Sequence, residues 1–174
     1  MKSRNMLKEL LNQKQDAILR NWFHQIAETY PLDGAKFIEN KKDQFNNPVG
    51  YTISNEIKVL YRQLINGMEL EPVNQSLEKI IKIRNVQDFT SSQAVSFVFT
   101  LKRAIRDELR SELSDRDLLG ELLVFEADID QMALLAFDIY TRCRESLYEI
   151  RFNEIKRRSI QFLRQYENHR EAEN

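Results

Sequence analysis

Glycine and proline punctuate a chain, and this one of 174 residues holds only four and three of them. A strand-rich or loop-rich fold needs many more such breaks. The residues that dominate instead (Leu, Ile, Glu, Lys, Arg, Gln and Ala) are good helix formers. The reading is an all-α, single-domain helical bundle of about seven helices.

The apolar spacing agrees. Leu7, Leu11, Ile18, Trp22 and Ile26 recur at helical intervals, which predicts one amphipathic helix over residues 5–28, ended by Pro31. A short helix around 32–40 follows, then a loop at 43–50 (DQFNNPVG), where Asn47, Pro48 and Gly50 supply turn chemistry. Ile53, Ile57, Leu60 and Leu64 mark a helix over 51–65, closed by Asn66-Gly67. Pro72 suits the first turn of the next helix, which runs to about Asp88.

Thr90 and Gln93 then form a T-x-x-Q capping box opening a helix over 91–113. With Ala94, Val95, Phe97, Val98, Phe99 and Leu101, its first half is apolar nearly all round, so it is expected to be central and buried. Ser114-x-x-Asp117 opens a last apolar series through Ile129, Met132, Ala136, Ile139, Cys143, Leu147 and Ile150. The acidic EADID segment (126–130) interrupts it, and periodicity alone does not decide whether 115–167 is one helix or two. The expected division is a core of residues 5–127 and a long C-terminal helix of 128–167. The stripe from Met132 to Ile150, with Ile155, Leu163 and Tyr166, makes that helix a dimerisation element, so a homodimer is expected.

Several function classes are disfavoured. The formal net charge is −1 with 30% charged residues, leaving no basic excess for nucleic acid. The basic run 155–159 is interleaved with Glu149, Glu154 and Glu167. No window of about 18 apolar residues offers a membrane span, and the N-terminus is too charged for a signal peptide. The lone Cys143 fits a reducing, cytoplasmic setting. His24 falls opposite Trp22 and Ile26 on the wheel, facing water, and His169 lies in a polar tail. Neither has the convergent partners that catalysis or a metal needs. No enzyme, cofactor or metal motif stands out.

The sharpest feature is a polar knot inside residues 83–102, IRNVQDFTSSQAVSFVFTLK. Leu77 and Ile81 set an inward direction, and Arg84 and Asp88 fall on it one and two turns later. A charge pointing at the core must be paired, so Arg84 and Asp88 are expected to pair, Arg84 also bonding the free carbonyls at its helix end. On this reading the knot is an architectural clasp. On the other, Arg84, Gln87 and Gln93 line a small polar pocket for a ligand, or a switchable contact.

These same residues carry a resemblance. DQFNNPVGYTI (43–53), IIKIRNVQDFTSSQAVSFVFTLK (80–102) and WFHQIAETYP (22–31) resemble the RsbRD N-terminal domain of the RsbT co-antagonist family, over residues from about 7 to 110. Asn85 stands where the family pattern has alanine, and Thr90-Ser91 where it has Ser-Pro; the second change keeps the capping chemistry. The resemblance implies a sensor or regulatory input domain in bacterial stress signalling, acting on protein partners. It also implies, by analogy with stressosome sensors, a globin-like bundle without haem. Such domains sit ahead of a STAS or kinase output, for which 174 residues leave no room, so a stand-alone regulator or an excised input domain is expected.

Overall fold

A computed structural model of the chain describes residues 4–30, 38, 46–87 and 89–172. Among these the fold is all-helical, with six helices: α1 (Arg4–Gln13), α2 (Gln15–Ala27), α3 (Pro48–Asn66), α4 (Leu70–Val86), α5 (Ser91–Glu108) and α6 (Arg116–Ala172). Apart from Ile38, the helix expected around 32–40 lies outside the described residues. The chain divides into two compact units, Met1–Tyr140 and Thr141–Asn174.

In the first unit, α2 packs against α5 and α3 against α4. The helix expected over 5–28 is in fact two. They meet at Lys14, whose ammonium reaches the Glu108 carbonyl at 2.7 Å and the Glu112 carboxylate at 2.5 Å. Two buried polar bonds fix the register of the bundle. Trp22 Nε1 donates to the Phe97 carbonyl at 2.7 Å, and the Tyr61 hydroxyl donates to that of Leu11 at 2.8 Å. Each lets a large side chain be fully buried without stranding its polar atom.

Of the loop expected at 43–50, residues 43–45 lie outside the described residues, and the rest resolves differently. Pro48, Val49 and Gly50 form the first turn of α3 rather than loop. Asn47 is its N-cap, with Oδ1 accepting from the Gly50 N–H at 2.8 Å and Nδ2 donating to the Ile38 carbonyl at 2.9 Å. Proline at the first helical position loses an N–H that had no partner anyway. At its other end α3 gives way to Gly67, whose φ of +94° suits glycine.

The helix over 91–113 ends at Glu108, and α6 begins at Arg116. Its opening cap is Asp115 rather than Ser114: Asp115 Oδ1 accepts from the Asp117 and Leu118 N–H groups. Residues 116–172 form one helix, so the long element starts well before 128. EADID does not break it. Glu126 takes a bidentate pair from Arg106 (2.6 and 2.8 Å), and Asp130 pairs with Lys102 at 2.6 Å. Spaced four apart, those acids face α5 while Ile129 between them is fully buried.

Two burial expectations are corrected. Phe99 is 48% exposed, so α5 is buried on most of its circumference but not all. The stripe from Met132 stays buried through Ala136 and Ile139 within the first unit. In the second unit Cys143 and Leu147 are half-buried and Ile150 is 62% exposed. No residue from Thr141 to Arg164 is buried.

Candidate functional site

The corner between α4 and α5 is built from local rules. The α4 backbone closes with the Gln87 N–H donating to the Arg84 carbonyl. Three residues on, Thr90 caps α5: its hydroxyl accepts from the Gln93 N–H while Gln93 Oε1 accepts from the Thr90 N–H at 3.0 Å. This capping box appears as expected. It also commits the Gln93 side chain to the backbone of its own helix start, where Gln93 is exposed.

Arg84 is where the sequence places it, pointing inward, and is wholly buried. Its bonds go to other elements rather than to its own helix end. Nη2 donates to Thr29 Oγ1 and to the Gln93 carbonyl, both at 3.0 Å. Thr29 can accept because its own hydroxyl proton goes to the Ile26 carbonyl at 2.7 Å. The guanidinium carbon lies 4.3 Å from the centre of the Phe89 ring, 5.3 Å from Tyr30 and 5.7 Å from Phe97. Tyr30 and Phe89 meet edge to face at 5.0 Å. The negative faces of aromatic rings stabilise a desolvated cation.

Nε and Nη1 of Arg84 and the neighbouring Tyr30 hydroxyl complete no well-aligned hydrogen bond, although the hydroxyl and the guanidinium lie close enough to act on each other. Burial pulls the Arg84 pKa below the usual arginine range and pushes that of Tyr30 above the usual tyrosine range. Asp88, the expected partner of Arg84, lies outside the described residues. Gln87 is exposed. Thus Arg84 and Gln93 come together, through a backbone carbonyl, while the Gln87 and Gln93 side chains are exposed.

Sequence reasoning missed Thr29, Tyr30, Phe89 and Phe97 as the walls around Arg84. The available signal was the pair of aromatics beside the breaks, Tyr30 before Pro31 and Phe89 before the cap.

Asn47, Pro48 and Gly50 form a separate, structural cluster. A Cβ on Gly50 would come within 2.3 Å of the Ile38 carbonyl oxygen. A cleft of about 1140 Å³ lies elsewhere in the first unit, among Leu7, Leu11, Leu64, Glu121 and Phe125. His24 is exposed beside Glu28 at 3.5 Å. Among the described residues no helix is long and apolar enough to cross a membrane.

Neither the curated proteins nor the solved structures contain a match to this chain. The family model for the RsbT co-antagonist protein rsbRD N-terminal domain matches residues 16–154, starting later than the expected span of about 7 to 110 and continuing past it far into α6. That span covers α2 to α5, including the capped corner around Arg84, and the chain belongs to the RsbT co-antagonist protein rsbRD N-terminal domain family.

Proposed function

We propose that this domain is a non-enzymatic input module of bacterial stress signalling, in the cytoplasm, acting by protein–protein contact and pairing with a second copy through the C-terminal part of α6. The family supports the signalling role. The observation that carries the pairing is an uncovered apolar face in the second unit. Tyr148, Phe152, Ile155 and Phe162 are 55, 65, 65 and 69% exposed. Their spacings of four, three and seven keep them on one seam, with Ser159 completing the heptad pattern. This replaces the seam expected from Met132 to Ile150, half of which the first unit buries for itself.

The flanks favour a parallel pair. Arg144, Arg151 and Arg158 recur every seven residues along one side of the seam, so an antiparallel partner would set arginine against arginine. A parallel partner brings Arg144 toward Glu149 and Arg158 toward Leu163, leaving Arg151 beside Lys156 as the one like-charge pair. By analogy with related sensors the first unit is read as globin-like and free of haem.

Sedimentation equilibrium of the full chain at micromolar concentration tests the pairing. The expected result is a dimer that becomes a monomer in Phe152→Glu/Ile155→Glu with helicity retained. A monomeric wild-type chain refutes it.

A second reading, a small-molecule sensor at the 83–102 corner, is favoured by the unpartnered donors of Arg84.

A further inference from the structure

We propose that the buried Arg84 guanidinium, with the Tyr30 hydroxyl, receives a small monocarboxylate anion at the corner between α4 and α5. This deepens the ligand-sensor reading and is independent of how α6 pairs.

A guanidinium carries five N–H donors and stays charged at neutral pH. Two of the five, on Nη2, are used by Thr29 and the Gln93 carbonyl. Both acceptors are uncharged. The donors on Nε and Nη1 are buried without a well-aligned acceptor, the Tyr30 hydroxyl being the polar group beside them. The Tyr30, Phe89 and Phe97 rings attract the cation through their faces but replace no oxygen acceptor. Among the described residues no carboxylate forms an ion pair with Arg84. A buried cation lacking a counter-charge is costly, and buried charges in folded proteins are characteristically paired.

The complement that the described residues do not supply is therefore defined by chemistry. It must bring negative charge and oxygen acceptors, and it must accept from a phenol as well as from guanidinium N–H groups. A carboxylate does both. Arg84 is wholly screened from solvent, so a guest there must be small, and formate or acetate is the natural probe. A doubly charged oxyanion would add more desolvation than one guanidinium offsets. Because Arg84 ties Thr29 to Gln93, a guest there acts on the end of α2 and the start of α5 together.

The test uses the full chain titrated with sodium formate and sodium acetate, against sodium chloride at equal ionic strength. The readouts are the Arg84 Nε–H resonance and the melting temperature. A saturable shift of that resonance with formate, absent with chloride, is expected, together with a rise in melting temperature. Tyr30→Phe keeps the ring and removes only the hydroxyl, so it should fold and bind about tenfold more weakly. Arg84→Met should abolish the response if it folds; Tyr30→Phe carries the test if it does not. No saturable shift in the wild-type chain overturns the proposal, as does a shift unchanged in Tyr30→Phe. A wild-type chain that is silent while Asp88→Asn responds also overturns it, because the chain's own carboxylate then fills the place.

Discussion

Trp22 and Phe97 are joined by a 2.7 Å hydrogen bond from the indole N–H to a helix carbonyl, with both residues fully buried. The bond locks α2 to α5 at the middle of the bundle. Trp22→Phe keeps an aromatic ring but loses the bond and leaves space behind. It should cost about 1–3 kcal/mol, since the Phe97 carbonyl keeps Thr100 as a second donor. Urea unfolding monitored by circular dichroism measures it.

Arg84 separates charge from volume. Arg84→Ala empties a large buried site and should destabilise by about 2–4 kcal/mol. Arg84→Met fills the space without a charge to desolvate and should stay within about 1 kcal/mol of the parent, or exceed it. Equal losses in the two variants would show that the cation itself holds the corner together.

Two glycines should fail for different reasons. Gly50→Ala drives a methyl group into the Ile38 carbonyl and the Asn47 cap, costing about 1–3 kcal/mol. Gly67→Ala meets nothing within 4 Å but must hold φ at +94°, which costs about 1 kcal/mol. Thermal melts should rank Gly50→Ala as the more damaging.

Alkali should unfold the protein through its buried phenols. Burial holds the Tyr30 and Tyr61 hydroxyls above the ordinary value of 10.0, with Arg84 partly offsetting the effect at Tyr30. The folded state binds those protons more tightly than the unfolded chain does. Their contribution to stability is therefore fully present below pH 10 and is lost as pH rises through and beyond it. Phenolate absorbance should show two tyrosines that ionise only as helicity collapses.

Local rules that close on themselves were legible in the sequence. Thr90 and Gln93 satisfy each other within four residues, and Asn66-Gly67 ends α3 as its composition demands. Arg84 was placed inward correctly because the helical repeat needs only Leu77 and Ile81 to set its direction. What depended on distant partners was not legible. The break at Lys14 answers to Glu108 and Glu112, more than ninety residues away, and the Tyr30 wall of Arg84 comes from the segment just beyond α2. The stripe beyond Ile139 shows the same limit, because a repeat records a helix face without recording what covers it.

The two bonds made by Arg84 Nη2 carry one more consequence. One nitrogen holds the residue after the α2 cap and the third residue of α5, so neither helix end can fray without releasing the other's anchor. Amide hydrogen exchange at the last turn of α2 and the first turn of α5 should then share a single opening free energy, although more than sixty residues of chain lie between them.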